Sequence, residues 1–164
     1  MIQHLKCIKS FILLLTVMLI PLFGRYAFGQ ETVVEKAEPL EIVSIYTDVN
    51  GESHFGQTKM TFNLVDYAPP APPISVSDIQ ATDGVQFISS PVGWYGDWHP
   101  APKRQLMFCL TGELEVTVSD GETRRFGPGN PILVEDTSGK GHISRVVGSE
   151  RCFMAAISLR KLDE

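Results

Sequence analysis

His99 and His142 are the side chains of this sequence best suited to chemistry. They stand in two turn-rich segments, GWYGDWHPAPKRQ and EDTSGKGH, each beside a run of β-forming residues. Imidazole titrates near neutral pH and also binds transition metals, so a pair facing one cavity suits acid–base chemistry or metal ligation. A second interpretation is purely structural: two buried histidines could simply hydrogen-bond to each other, to Gln105 or to water.

Other residues near the two histidines support several roles. Alternation along the chain from Gln105 places Met107 and Cys109 on the same inward face and turns Arg104 outward. Arginines can hold an anionic substrate through two hydrogen bonds, but a solvated Arg104 is favoured here.

Aromatic and acidic side chains flank the same segments. Trp94, Tyr95 and Trp98 precede His99 and would either stack on a ring-shaped ligand or cap the core. Glu135 and Asp136 lie in a turn-rich segment at the same end and could supply a carboxylate, although acids in loops usually face solvent.

Short strands must position these side chains. Asn50-Gly51 and Asp120-Gly121 are hairpin-turn signals, and Glu113–Val118 alternates apolar and polar residues so that Leu114, Val116 and Val118 share one face. Further strands are expected at 44–47, 57–65, 84–90, 104–110, 123–126, 132–135, 143–147 and 152–159. The proline-rich segment 66–78 predicts an extended strap, because prolines cannot donate to a sheet. The sequence therefore predicts a single all-β domain, a sandwich or barrel.

The N-terminus has the pattern of a secretory signal. Lys6 and Lys9 precede an apolar run, and Ala27 and Gly29 supply the small residues expected before a cleavage site. We predict a signal peptide over 1–29, a flexible segment over 30–43 and the barrel over 44–164. The protein is then exported, periplasmic or secreted, and would touch a membrane only through an uncleaved signal segment.

Charge and cysteine content bound the partners. Cleavage after residue 29 removes three bases and no acid, so the net charge of −5 becomes −8, which disfavours nucleic acid and anionic membranes. Cys109 and Cys152 remain, and they form either a disulfide, which an oxidising compartment allows, or two buried thiols.

The segment Gly93–Gly112 resembles the first motif of the cupin superfamily, small bacterial jelly-roll barrels. The spacings from Gly93 to His99, Ala101, Gln105 and Gly112 all fit that motif. Ala101 stands where the family has a second histidine, and Gln105 where it has a glutamate. The resemblance implies a cupin-type double-stranded β-helix. The phrases WHPAPKRQ and EDTSGKGH look like one subgroup of small cupins.

The second cupin motif is matched less completely. His142 lies at the expected distance from Gly139, whereas Val146 replaces the usual asparagine. The resemblance implies a divalent metal site, here reduced to His99, Gln105 and His142. The residues of the expected ligand pocket are His99, Gln105, Met107, His142 and Trp98.

Three functions stay open at this level. The chain could be a cupin enzyme of the oxygenase, isomerase or lyase type, with or without a metal, that uses His99, Gln105 and His142. It could instead bind a small organic molecule without catalysis. It could also be a structural or self-associating domain, and the resemblance implies a homodimer, since small cupins commonly pair through barrel edges. Fold-level likeness does not choose between enzyme and binder.

Overall fold

The computed structural model describes residues 34–160, and all its regular elements are strands. The predicted signal peptide lies outside this range. The twelve strands are β1 (Leu40–Thr47), β2 (Ser53–Met60), β3 (Phe62–Val65), β4 (Ile74–Ser77), β5 (Thr82–Ser90), β6 (Tyr95–His99), β7 (Gln105–Thr111), β8 (Glu113–Val118), β9 (Thr123–Phe126), β10 (Pro131–Val134), β11 (His142–Val147) and β12 (Cys152–Leu159).

Two principal sheets form the domain. One has six strands in the order β2-β1-β10-β7-β12-β5, and the other has four in the order β6-β11-β8-β9. All pairings are antiparallel except that of β1 with β10. A separate two-stranded ribbon joins β3 to β4. This all-β, double-sheet, jelly-roll arrangement confirms the predicted fold class.

The core lies between the two principal sheets. The predicted inward residues of β8, Leu114, Val116 and Val118, are all buried. They belong to one apolar cluster with Ile45 and Ile132 from the six-stranded sheet. Alternation along each strand therefore gives both sheets an apolar inner face. A second, smaller cluster of Ile42, Leu133 and Leu159 lies on the outer side of the six-stranded sheet, as their strand positions require.

Several predicted boundaries need correction. β1 begins at Leu40, so the segment expected to be flexible to residue 43 already pairs with β2 and buries Ile42. The strand expected over 57–65 is broken at Thr61 into β2 and β3. The proline-rich strap ends in β4, which pairs with β3, so only its first part is irregular.

Besides β4, one further strand, β6, was not predicted. Its sequence, YGDWH, contains a glycine and an aspartate, which strands usually avoid. It is held by pairing with β11. Among residues 34–160 we find no helix of the length and apolarity needed to cross a membrane.

Candidate functional site

The two histidines meet at one end of the four-stranded sheet. His99 ends β6, His142 begins β11, and the two are direct cross-strand partners. Their ring centroids are 4.7 Å apart, with the ring planes tilted by 52°. The sequence-based expectation that both would face one cavity is met, since both line the same cavity.

Each imidazole is fixed through its Nδ1 atom. His99 Nδ1 lies 2.6 Å from the carbonyl oxygen of Asp97, and His142 Nδ1 lies 2.7 Å from Oδ2 of Asp136. A carbonyl oxygen only accepts hydrogen bonds, so Nδ1 of His99 is the donor. Neither Nε2 atom has a hydrogen-bond partner among the described residues. In both rings, Nε2 is therefore available to a partner from outside the described chain.

Asp136 supplies a carboxylate to the site. The sequence left two alternatives for this acid, a carboxylate at the site or the more usual solvent-facing position; the side chain is fully buried and its carboxylate holds His142. Its backbone carbonyl also accepts a hydrogen bond of 3.0 Å from the amide of Ala101, which ties the two motif segments together. Its second oxygen, Oδ1, has no partner in the described part of the chain.

Gln105 and Met107 stand on the wall of the cavity that β7 supplies. The amide Nε2 of Gln105 approaches the sulfur of Met107 at 3.5 Å. The carbonyl oxygen of Gln105 is therefore left for a ligand or an ion. Both residues, and Cys109, face inward as their parity predicted.

The cavity between the sheets has a volume of about 260 Å³. Its apolar and sulfur-containing lining residues are Ile45, Ile88, Trp94, Ala101, Pro102, Met107, Cys109, Leu114, Val116, Phe126, Ile132, Val134 and Met154. Its polar lining residues are Ser90, His99, Gln105, Asn130, His142 and Ser144. Within residues 34–160, no lysine, arginine, aspartate or glutamate lines it. A mainly apolar cavity with a few polar groups is typical of a small-molecule site.

The arginines considered as anion ligands are engaged outside the cavity. Arg104 points outward, as predicted, with its Nε 2.6 Å from Oε1 of Glu135. Arg145 and Glu115 both belong to the four-stranded sheet and form an ion pair, with Nη2 of Arg145 2.5 Å from Oε1 of Glu115. Hydrogen bonding from Arg125, reinforced by Arg145, lowers the pKa of Glu115. Neither Arg104 nor Arg145 is available to a ligand in the cavity.

The three aromatic residues that precede His99 do not all line the cavity. Trp94 lines the cavity, whereas Trp98 does not and is 40% exposed. The ammonium group of Lys140 lies 5.2 Å from the centre of a Trp98 ring, a cation–π contact. Tyr95 is exposed. Trp98 therefore belongs to the surface beside the site and not to the expected pocket wall.

Gly141 sets the approach of the two histidine segments. Its φ of +72° lies in the left-handed region, and a Cβ there would overlap the backbone of His99. Only glycine combines that conformation with that close approach. The residue before His142 thus fixes how near β6 and β11 can come.

Cys109, which lines the cavity, has Cys152 as a neighbour. Their sulfurs lie 3.8 Å apart, both as thiols, and both residues are buried. Burial raises the pKa of Cys152 to about 12, with the neighbouring Cys109 adding to it. Burial likewise raises the pKa of Cys109. A disulfide between them stays a prediction, which the intact mass of the unreduced protein tests.

The expected metal ligands come together only in part. His99, Gln105 and His142 line the same cavity, but Ala101 adds only a buried methyl group. In the described range no three side chains from histidine, cysteine, aspartate and glutamate are placed to hold a metal ion. Two imidazole nitrogens and a neutral amide oxygen are the donors present, which fits an incomplete ligand set.

Comparisons with known proteins give only distant similarity. No protein-family model matches the chain, and no curated protein does. Among solved structures, the chain is similar to protein NMB1881 from Neisseria meningitidis, with a TM-score of 0.35 and 14% identity over 79% of this chain and 90% of that one.

Two further solved structures are similar to this chain. The cupin domain of Cnp3 from Schizosaccharomyces pombe has a TM-score of 0.35 and 17% identity, over 72% of this chain and 87% of that one. A putative ethanolamine utilization protein Q from Salmonella typhimurium has a TM-score of 0.32 and 16% identity, over 74% and 98%. The fold described above rests on the strand order and register of this chain.

Proposed function

We propose that this protein binds a small organic molecule in the cavity between its sheets, with the apolar body of the ligand on the β7 and β12 walls and a polar group at His99 and His142. The observation that carries this proposal is the cavity of about 260 Å³, apolar on most sides and polar around the histidine pair. Burial of apolar ligand surface would contribute roughly 25 cal/mol per Å² to binding. The two imidazoles would orient the polar group.

Filling the cavity tests this proposal. Ala101 is buried and lines the cavity, so Ala101→Leu adds three carbon atoms to its wall. Ala155 lies on the outer side of β12 and lines no part of the cavity, so Ala155→Leu is the matched control. We expect small ring compounds to bind the natural protein and the control alike, and the Ala101 variant at least tenfold more weakly. Calorimetry makes the measurement; equal affinities in both variants would contradict the proposal.

A metal-dependent enzyme is the second candidate function. One observation favours it: each imidazole is held at Nδ1 by a carbonyl or carboxylate oxygen, as metal-binding histidines usually are through the ring nitrogen that does not face the metal. His99, His142 and the amide oxygen of Gln105 would hold the ion. A divalent ion bound there would act as a Lewis acid on a ligand oxygen. Asp136 would keep the His142 ring oriented, and the apolar lining would limit access of water.

Titration of untagged protein with Mn²⁺, Ni²⁺ and Zn²⁺ tests this candidate. We expect one ion per chain, lost in His99→Ala and His142→Ala and kept in His54→Ala, which changes a histidine outside the cavity. Gln105→Glu should tighten binding at least tenfold, because a carboxylate adds charge to a neutral donor set. Absence of stoichiometric binding in the natural sequence would remove this candidate.

A further inference from the structure

We infer that the ligand presents a hydrogen-bond donor, of the phenol or enol hydroxyl class, to the free Nε2 atom of His99 or of His142. The inference rests on the proposed function, because it names the class of molecule that the cavity would hold. Its basis is the hydrogen-bond polarity of the two rings and the absence of cationic side chains from the described cavity lining.

The polarity of His99 follows from its partner. The carbonyl oxygen of Asp97, 2.6 Å from Nδ1, has no proton to give, so Nδ1 carries the hydrogen. In the neutral ring Nε2 then holds a lone pair and can only accept. No described residue supplies a donor to that atom. A donor to that atom therefore comes from outside the described chain, from water or from a ligand that displaces it.

His142 has the same polarity for a different reason. The Asp136 carboxylate, 2.7 Å from Nδ1, accepts the Nδ1 hydrogen when it is ionised and leaves Nε2 as an acceptor. The His142 side chain is 9% exposed and the Asp136 side chain 0%, so water screens this pair little. Two acceptors therefore stand side by side, with ring centroids 4.7 Å apart.

Charge excludes the opposite class of ligand. A carboxylate offers only acceptors, and it would stand near the buried Asp136 carboxylate with no lysine or arginine in the described lining to offset repulsion. Arg104 and Arg145 are paired with acids outside the cavity. A neutral hydroxyl on an apolar ring donates its one hydrogen to one of the two Nε2 atoms and places the ring against the apolar walls.

A matched series of probes tests the inference. 4-Ethylphenol, 4-ethylanisole, ethylbenzene and 4-ethylbenzoate share one apolar body and differ only at the polar end. Calorimetry is done at pH 8, with EDTA present to remove metal ions. We expect 4-ethylphenol to bind about tenfold more tightly than 4-ethylanisole, the fold-change of one net hydrogen bond. 4-Ethylbenzoate should bind most weakly.

The outcomes separate this inference from the proposed function. Equal binding of the phenol, the ether and ethylbenzene would overturn the donor inference and leave the cavity as a ligand site. Tighter binding of the benzoate would also overturn it. Binding of none of the four, ethylbenzene included, would count against both. The double variant with His99→Phe and His142→Phe should abolish the preference for the phenol, but the series on the natural protein decides even if that variant does not fold.

Discussion

Asp136 places a carboxylate in the protein interior with only one of its two oxygens hydrogen-bonded. Buried acids are rarely tolerated without a partner, and here the partner is the Nδ1–H of His142. The acid therefore orients the ring and fixes which nitrogen is free. A residue that acts through another in this way is a positioning residue.

Replacing Asp136 tests that role. We expect Asp136→Ala to lower the free energy of unfolding by about 1–3 kcal/mol, because it leaves a buried N–H without an acceptor. Asp136→Asn should cost less, since its amide oxygen can accept the same hydrogen. Urea denaturation makes the measurement. Asp97→Ala is the control, because His99 bonds to the Asp97 backbone carbonyl, which that change keeps. An Asp136→Ala variant as stable as the natural protein would rule the role out.

The alternation of side chains along a strand explains which site residues could be placed from the sequence. The inward positions of Gln105, Met107 and Cys109, and the outward Arg104, follow from alternation along one strand. Asp136 could not be placed this way, because it lies between strands, where no period fixes the direction of a side chain. The prediction that Trp98 lines the pocket was wrong for a similar reason. Its proximity to His99 in the sequence does not determine which way its side chain points.

At the level of elements, the turn before β11 controls the spacing of the histidine pair. Gly141→Ala should lower stability and weaken cavity binding, because the new Cβ would overlap the His99 backbone. Gly148→Ala is the matched control: its φ of +79° carries a similar conformational cost, but nothing lies near its added Cβ. That cost is roughly 1–2 kcal/mol. Thermal unfolding and calorimetry of both variants make the comparison; equal losses would contradict the role of the close approach.

A histidine outside the cavity links two turns. His54 on β2 lies 2.7 Å from Oδ2 of Asp120 in the β8–β9 turn and 3.4 Å from Oδ2 of Asp48 in the β1–β2 turn. The hydrogen bond with Asp120, and then that with Asp48, raises the pKa of His54. The pKa of Asp120 is lowered, first by the Glu122 amide and then by His54. The two turns are thus joined most strongly while His54 is protonated and both acids are ionised.

This link makes stability depend on pH in a stated direction. A raised histidine pKa gives a contribution that is full below the unfolded value near 6.5 and lost as pH rises through the folded value. The stability difference between the natural protein and His54→Gln should therefore be largest near pH 5–6 and shrink toward pH 9. It should shrink again in acid, as Asp48 and Asp120 become protonated. Urea titrations across this range measure it, and a difference independent of pH would refute the link.

Elements were predicted where local chemistry defined them. The Asp-Gly and Asn-Gly turns bracket strands found close to the expected positions, and β8, β9 and β12 match at both ends. β6 was missed because its composition is poor for a strand and its pairing with β11 is distant in sequence. The break at Thr61 was missed because the apolar alternation continues through it, although β3 leaves the sheet to pair with β4.

At the scale of the whole molecule, two facing sheets were predictable and the cavity was not. Alternating strands with regular turns require an apolar face on each sheet, and two such faces cover each other. Whether the space between them is filled depends on side-chain sizes at many positions. Here small residues, such as Ala101 and Ser144, stand at the polar end and leave room for a ligand. Packing density cannot be read from the periodicity of the sequence, whereas the apolar faces of the strands can.

The predicted export signal concerns the whole chain and its charge. We expect the full-length chain, produced in a cell with a secretory pathway, to be recovered outside the cytoplasm with Gln30 as its first residue, because Ala27 and Gly29 are the small residues that cleavage requires. N-terminal sequencing and intact mass measure this.

Gly29→Leu should block cleavage and leave the protein attached to the membrane, whereas Glu31→Gln, beyond the cleavage site, should be processed normally. Recovery of the natural chain in the cytoplasm with its N-terminus intact would contradict export. Cleavage at the expected position would leave a mature protein of net charge −8, which disfavours binding to nucleic acid and to anionic membranes.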